Sequence, residues 1–411
     1  MAVSTSQPTV IQALSAVAAL ALVAGLHSPA AAHPLAFHPA RTGGEPLRIS
    51  RVRAPIALPE RVLAHLTPGH SIYASRGRRM NPNFPYTTAS VVFGSDYGAN
   101  EVDAFKQSAG FPYVASLTDA TPNACSAPHL SGPQGMWVDK LRNLWVADTN
   151  NSDLREFAVG QTTSAMNLSD PGYYPVDAAV DSDVTGNLYA TNIISTSGLA
   201  GNIVGWTPPF VCGAAPNITM SDPTFQTVYF ISTDKVGDLY VDYFDTTSTA
   251  RVCFIAAANI ANNAAICTAT LGDFVTTVGL GFPGGMQVLP LPPAINKIGI
   301  VDQLGDPPVS LGVSIYKLPL PSAGPRYLPC TVVDPPFSVP LSAGPFGDPV
   351  TLAFTNAKGY ALWASDATSA PGGALLRTKE NVCSTSPGAF TGKITGFAQL
   401  IGTAVSPSVS P

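Results

Sequence analysis

The sequence predicts an all-β fold: a six-bladed β-propeller of four-stranded antiparallel blades, closed into a ring by the C-terminal strand. Two observations predict it. Charged residues make up only 11% of the 411 residues, whereas Pro (39) and Gly (36) are abundant, which is typical of a turn-rich β protein. A short apolar strand that runs into a turn also recurs six times, about once per four-stranded blade with its loops. The equivalent turn residues are Asp96, Asp148, Asn192, Tyr243, Asp302 and Asp366.

The domain organisation follows from the leader and from the extent of the repeat. Residues 1–32 carry no Lys, Arg, Asp or Glu, are almost wholly apolar from Val10 to Leu26, and end in Ala30-Ala31-Ala32. This pattern predicts a secretory signal cleaved after Ala32, and hence a secreted, periplasmic or cell-envelope protein. Because the leader lacks Lys and Arg, an uncleaved N-terminal anchor is the alternative. Residues 33–87 form an arm or linker, residues 88–408 form the propeller, and no later stretch is apolar enough for a transmembrane span.

The arm and the propeller carry opposite charge. Residues 33–82 contain eight Arg and two Glu, a net charge of +6, so the rest of the chain carries −11 of the total of −5. Such an arm suits docking on the acidic body, on anionic envelope polymers or on lipid headgroups, and a solvated linker is the simpler alternative. The body has no basic stripe, which excludes nucleic acid as a partner.

The strands can be placed blade by blade. The first blade has strands at 90–96, 100–107 and 111–118, but the segment before them is Pro-rich and unsuited to an innermost strand. The second and third copies each read as an inner strand, a tight turn, the strand with the terminal acid or amide, and a further strand. The C-terminal stretch Ile401–Pro407 has the pattern of an inner strand. We therefore expect it to complete the first blade and to remove an exposed edge.

The second copy, from Pro133-Gln134-Gly135 to Phe157, resembles the NHL-repeat family of β-propellers. The resemblance covers about residues 88–408. It weakens at Tyr243 in the fourth blade, and in the fifth blade a Pro-rich loop replaces the Gly-Asn turn. It implies the fold rather than a function.

More distantly, the chain is similar to the gluconolactonase and senescence-marker propellers. That resemblance implies a divalent metal held by Glu, Asn and Asp at the channel mouth, and the matching oxygen ligands here are Asn192, Asp242 and Asp302. The Glu-Gly-Pro start of that group is replaced by Pro133-Gln134-Gly135. The virginiamycin lyase propellers use body histidines, whereas His129 is the one histidine after residue 82 of this sequence.

The six cysteines are placed singly, which predicts disulfides of an exported protein rather than a zinc site. Cys253 and Cys267 lie in two strands of one predicted hairpin, so we expect them to be bonded. The pairing of Cys125, Cys212, Cys330 and Cys383 stays open, with Cys330–Cys383 as the next pair to consider.

The repeated Asp or Asn has two interpretations. Its side chain can accept backbone N–H groups of the turn, or it can bind Ca²⁺. Because recurrence in every blade favours the turn, function is expected where the repeat breaks or where loops carry acids, amides and aromatics. The candidates for a ligand face are Asn151, Tyr174, Tyr243 and Asp245.

The sequence therefore predicts a binding or scaffolding module that needs no cofactor, with a protein, peptide or carbohydrate of the envelope or exterior as ligand. The ligand would bind at a loop face or at the channel mouth. The alternative is a metal-dependent hydrolase or lactonase, with Ca²⁺ as the metal.

Overall fold

The computed structural model describes residues 90–119, 125, 129–181, 184–261, 269–271, 283–291, 295–303, 312–318, 330–331, 348–355, 361–378 and 390–406. Within these residues the fold is all-β. The helices are one 3₁₀ turn, Thr149–Asn151, and one short helix, α1 (Ala257–Ala261). None of the described helices is long and apolar enough to cross a membrane.

The strands pair into six antiparallel four-stranded sheets. From the inner to the outer strand, sheet 1 consists of β24 (Leu400–Ser406), β1 (Val91–Asp96), β2 (Glu101–Lys106) and β3 (Tyr113–Leu117). Sheet 2 consists of β4 (Pro133–Val138), β5 (Leu144–Asp148), β6 (Asp153–Phe157) and β7 (Met166–Ser169). Sheet 3 consists of β8 (Tyr173–Val180), β9 (Leu188–Ser195), β10 (Ala200–Trp206) and β11 (Ile218–Met220).

The second half of the chain repeats this order. Sheet 4 consists of β12 (Phe225–Thr233), β13 (Leu239–Asp245), β14 (Ala250–Ile255) and β15 (Ala269–Leu271). Sheet 5 consists of β16 (Pro283–Leu291), β17 (Ile295–Asp302), β18 (Gly312–Lys317) and β19 (Cys330–Thr331). Sheet 6 consists of β20 (Pro349–Phe354), β21 (Leu362–Asp366), β22 (Ala374–Thr378) and β23 (Phe390–Thr395).

These sheets are the blades of a β-propeller. Each inner strand packs against the next, in the order β4, β8, β12, β16, β20, β24 and back to β4, so the inner strands surround a common axis. Five sheets are built from four consecutive strands, which gives five continuous blades rather than the six that the repeat predicts. The remaining sheet is composite, because the C-terminal strand β24 pairs with β1, with Val92 opposite Val405.

The core lies between neighbouring sheets. The strands next to the inner ones are buried over their whole length, as in β5 and β21, because each faces a sheet on both sides. Such a strand reads as a continuous apolar run rather than as an alternation. Trp145 and Trp363 are the largest of the fully buried side chains.

Glycines on the inner strands allow close approach between sheets. A Cβ on Gly135 would lie 2.1 Å from Asp177 Oδ1 and 2.6 Å from the Val176 carbonyl oxygen. A Cβ on Gly402 would lie 2.2 Å from the Gln134 carbonyl oxygen. All three distances are shorter than a Cβ atom tolerates, so the backbones of sheets 1, 2 and 3 approach closely at the axis because these positions are glycine.

One disulfide joins Cys125, before sheet 2, to Cys212, in the β10–β11 loop, with the Cα atoms 5.2 Å apart. The sequence left this pairing open. Cys253 is also disulfide-bonded, but its partner lies outside the described residues. Thr270 lies directly opposite Cys253 in the sheet, and the Cys253–Cys267 bond stays a prediction.

Candidate functional site

The repeated acids hold the turns of their own sheets. The Asp96 carboxylate accepts the backbone N–H of Ala99 in its own turn, and those of Ala398 and Gln399 just before inner strand β24, at 2.6–3.1 Å. Asp148 accepts the Ser131 N–H before β4 at 2.6 Å. In sheet 6, the corresponding acid accepts the N–H before β20 at 3.2 Å and two N–H groups of its own turn. These carboxylates therefore connect the second strand to the start of the inner strand, which is a structural role.

In sheets 3 and 4, residues other than aspartate connect the second strand to the start of the inner strand. Asn192 donates from Nδ2 to Asp170, which precedes β8, at 2.7 Å, and to Asn202 at 2.8 Å. Tyr243 is fully buried and packs edge-to-face on Phe225, the first residue of β12, with ring centroids 4.8 Å apart. An aromatic contact thus replaces the carboxylate contact, and Tyr243 is not part of a ligand face as the sequence suggested.

Asp245 is likewise bound within its own turn. It accepts the N–H groups of Thr247 and Thr249 at 2.8 and 3.0 Å and pairs with Arg251 Nε at 2.5 Å. These hydrogen bonds lower the pKa of Asp245 despite its partial burial. Its acceptor positions are used locally, so the prediction that Asp245 contacts a ligand is not supported by its position.

Arg155 forms a buried ion network in sheet 2. Its guanidinium lies 2.6 Å from Asp119, 2.8 Å from Asp148 and 3.2 Å from Asp153, and none of these charged groups reaches solvent appreciably. Burial and the neighbouring Asp153 raise the pKa of Asp148 to about 7. Asn167 and Ser164 complete the network by donating to Asp153 and Asp119. The network ties the segment before sheet 2 to β5 and β6.

The axis of the ring is nearly filled by side chains. A cavity of about 20 Å³ remains there, lined by residues from all six inner strands, among them Trp137, Asp177, Phe230, Gln287 and Thr351. That volume suits about one water molecule, whereas small-molecule sites occupy roughly 300–1,000 Å³. The channel at this level is therefore not a substrate pocket.

Two buried carboxyl groups lie beside this cavity. The backbone of β12 bulges between Val228 and Ile231 and presents two successive N–H groups. Asp242 Oδ1 accepts the Phe230 N–H at 2.6 Å, and Asp177 Oδ2 accepts the Ile231 N–H at 3.1 Å. Burial raises the pKa of Asp177 to about 8 and raises the pKa of Asp242 well above its usual value, with the nearby Asp177 charge acting in the same direction. Burial thus favours the neutral form of both carboxyl groups.

The candidate metal ligands are placed differently from the expectation. Asn192 and Asp242 are fully buried, and each is hydrogen-bonded to its surroundings as described above. Asp302 belongs to β17, but its side chain lies outside the described residues. Among the described residues, Asp96, Glu101 and Asp103 form a group whose carboxylate oxygens lie within 4.8 Å of one another. Both oxygens of Asp96 already accept backbone N–H groups, and Ser116 Oγ donates to Asp103 at 2.5 Å.

Two predicted ligand residues do come together, on the face where the inner strands begin. Asn151 is exposed at the end of the 3₁₀ turn and donates from Nδ2 to the His129 carbonyl at 3.1 Å. The same turn lies against β8, because Thr149 Oγ1 donates to the Pro175 carbonyl at 2.7 Å. Tyr174 is half-buried at the start of β8.

Tyr97 extends this surface onto sheet 1, since its hydroxyl lies 3.4 Å from Asn150 Nδ2. The name tyrosine face is used below for the accessible residues Tyr97, Asn150, Asn151, Tyr173 and Tyr174. Sequence reasoning missed Tyr97. Its position directly after the repeated acid Asp96, in a turn on the same face as Asn150, could have identified it.

No known protein family and no well-characterised protein sequence matches the chain. Solved structures are similar over most of its length. A chain of a nidogen/laminin complex has a TM-score of 0.47 at 10% identity, covering 77% of this chain and 98% of that one. A protein of unknown function from Bacteroides caccae has a TM-score of 0.48 at 11% identity, covering 77% and 99%. An inactive virginiamycin B lyase from Staphylococcus aureus has a TM-score of 0.40 at 11% identity, covering 75% and 86%. At these values the likenesses carry no argument about function.

Proposed function

We propose that this protein is an exported six-bladed, NHL-like β-propeller that serves as a binding or scaffolding module, with its ligand on the tyrosine face. The main support for this proposal is that side chains nearly fill the axis of the ring. A cavity of about 20 Å³ leaves no room for a substrate, and the repeated acids described above are engaged in turns. Accessible tyrosines and asparagines occur together on the tyrosine face.

The chemistry of this face favours a carbohydrate or peptide of the envelope or exterior. Tyrosine rings offer flat apolar area with a hydroxyl at the edge, and asparagine amides both donate and accept hydrogen bonds. The 3₁₀ turn and the start of β8 hold Asn151 and Tyr174 on a rigid base, which limits the entropy lost on binding.

Binding to an array of oligosaccharides and an array of peptides tests this function. We expect a ligand on one array, with affinity reduced at least tenfold by Tyr174→Ala and by Asn151→Ala. Val211→Ser, an equally accessible position on the opposite face, is the matched control and should bind as the wild type does. Binding that survives both tyrosine-face substitutions would place the ligand elsewhere and refute the assignment.

A metal-dependent hydrolase is the competing class. Thermal unfolding with and without 1 mM Ca²⁺ or Zn²⁺ separates the two, because a bound ion raises Tm. The binding module predicts no shift. A rise in Tm that Asp302→Ala abolishes would transfer the assignment to the metal-dependent class.

The six-bladed ring has its own test. Pairing of β24 with β1 means that truncation after Gln399 removes the inner strand of sheet 1 and exposes an edge. We expect the truncated chain to aggregate and a peptide of residues 400–411 to restore solubility in trans. A truncated chain that stays monomeric with an unchanged Tm would contradict closure by the C-terminal strand.

A further inference from the structure

Exposed apolar side chains gather on the face opposite the tyrosine face. Among the described residues, five large apolar side chains are more than half exposed: Leu141 (70%), Val184 (52%), Leu199 (65%), Val211 (62%) and Val236 (52%). All but Leu199 lie on the face where the inner strands end. These four residues are called the apolar arc. Isolated exposed hydrophobic residues are ordinary, but a row of them marks an interaction surface.

Rigid turns hold the apolar arc in solvent. Leu141, Val184 and Val236 occupy equivalent turns, between the first two strands of sheets 2, 3 and 4. Each turn begins with an aspartate whose carboxylate accepts N–H groups of the same turn, as Asp181 does from Val184 at 3.2 Å and Asp234 from Val236 at 2.9 Å. The backbone of each turn therefore holds the apolar side chain in solvent, whichever rotamer that side chain adopts.

The turns that carry three members of the arc lie close to one another. A Cβ on Gly237, next to Val236, would lie 3.6 Å from Val184 Cβ. A Cβ on Gly186 would lie 3.6 Å from Pro208 Cγ, at the base of the loop that carries Val211. The turn that carries Val236 therefore lies beside the turn that carries Val184, and the loop of Val211 begins next to the latter.

The N-terminal arm enters the ring on the same face as the arc. It leads into Val91, the first residue of β1, which pairs with Ser406 at the end of β24. Arg142 donates from Nε to Ser406 Oγ at 3.0 Å, so the turn that carries Leu141 lies against the point of entry. The roughly 30 residues between Leu58 and Val91 can span up to ~100 Å when extended, so the arm is long enough to reach the whole arc.

The arm also matches the arc in chemistry. Leu47, Ile49 and Val52 lie among Arg48, Arg51 and Arg53, so this short segment offers both aliphatic side chains for the arc and cationic ones for the acids around it. Partly exposed acids, Asp139, Glu156 and Asp238, border the turns of the arc. The arm carries +6 and the rest of the chain −11.

We propose that the arm, residues 33–87, docks on the apolar arc, with the aliphatic residues of 47–58 against Leu141, Val184 and Val236 and the arginines toward the bordering acids. Tethering at Val91 gives the arm a high effective concentration at this face, so a modest contact suffices. The arm then covers one face of the ring and leaves the tyrosine face free.

Limited trypsin digestion of the purified full chain tests the docking, with mass spectrometry following cleavage at Arg48, Arg51 and Arg53. We expect these bonds to be cut at least tenfold more slowly than in a synthetic peptide of residues 33–60. The variant Leu141→Ser/Val184→Ser/Val236→Ser should be cut at close to the peptide rate with an unchanged circular dichroism spectrum. Leu199→Ser, equally exposed on the opposite face, is the control and should keep the protection.

Two results would overturn the proposal. One is cleavage of the wild-type arm at the peptide rate. The other is protection that the triple variant retains. Light scattering identifies a rival occupant: a wild-type dimer that the triple variant converts to a monomer, with the arm cleaved equally in both, would assign the arc to a second copy of the chain and exclude the arm.

Discussion

The buried carboxyl group of Asp177 makes the stability of the ring depend on pH in a direction that can be calculated. Its pKa is raised from 3.8 to about 8, chiefly by burial, so the folded state binds its proton more tightly than the unfolded state. Its stabilising contribution is complete below pH ~4 and is lost as the pH rises through about 8. Each pH unit in this window costs about 1.4 kcal/mol.

Asp177→Asn removes this dependence, because the amide has nearly the same shape and can still accept the Ile231 N–H. The free energy of unfolding of the variant relative to the wild type should rise by about 3 kcal/mol between pH 5 and pH 7. Urea unfolding followed by tryptophan fluorescence at both pH values measures it. Asp222→Asn removes an acid from a surface loop and serves as the control, with the wild-type slope expected. Parallel pH slopes for wild type and Asp177→Asn would refute the reasoning.

Two further substitutions test the packing between sheets by the shift in Tm and in the free energy of unfolding. Arg155→Met leaves three buried aspartates without a counter-charge and should cost about 3–5 kcal/mol, whereas Arg251→Met removes a partly exposed ion pair and should cost about 1 kcal/mol or less. Gly135→Ala forces a Cβ to within 2.1 Å of Asp177 and should cost more than ~2 kcal/mol; Gly213→Ala meets nothing within 4 Å and should cost about 1 kcal/mol, because of its positive φ.

The sequence predicted what depends on local chemistry. The strands of sheet 1 agree with the predicted ranges to within two residues, because apolar runs bounded by turn residues determine both ends. The turn interpretation of Asp96 and Asp148 also holds, because an aspartate at a strand end reaches nearby N–H groups. The pairing of β24 with β1 was predictable, since Ile401–Pro407 has the pattern of an inner strand and the first copy lacks one.

The rest depends on which segments meet in space. The Cys125–Cys212 bond spans 87 residues. It depends on where two loops lie in the fold, and the spacing of the cysteines in the sequence does not predict that. The break in the repeat at Tyr243 suggested a ligand contact, but the ring lies on Phe225 inside the fold. Whether an aromatic residue fills a core or faces a ligand is decided by what lies opposite it, and that is a tertiary property.

The residue just before the repeated acid can connect two neighbouring sheets, and in sheet 4 that residue is a buried aspartate, Asp242. In sheets 1 and 6 this residue is a serine that bridges two sheets. Ser95 accepts the Gly402 N–H of its own inner strand and donates to the Gln134 carbonyl of the next, both at 2.6 Å. Ser365 does the same between Thr351 and Ile401. In these two sheets the side chain at this position supplies one acceptor and one donor.

Asp242 holds this position in sheet 4. Its Oδ1 accepts the Phe230 N–H, and its Oδ2 is buried with no hydrogen-bond partner among the described residues. A carboxylate cannot donate, but a protonated carboxyl can, and burial raises the pKa of Asp242 in that direction. Asp242→Ser supplies the same acceptor and donor without a titrating group, so we expect it to lose less stability than the wild type as the pH rises. Asp242→Ala keeps neither hydrogen bond and should be less stable than Asp242→Ser by about 1–3 kcal/mol, measured by urea unfolding. Equal stability of the two variants would show that the position needs no inter-sheet donor.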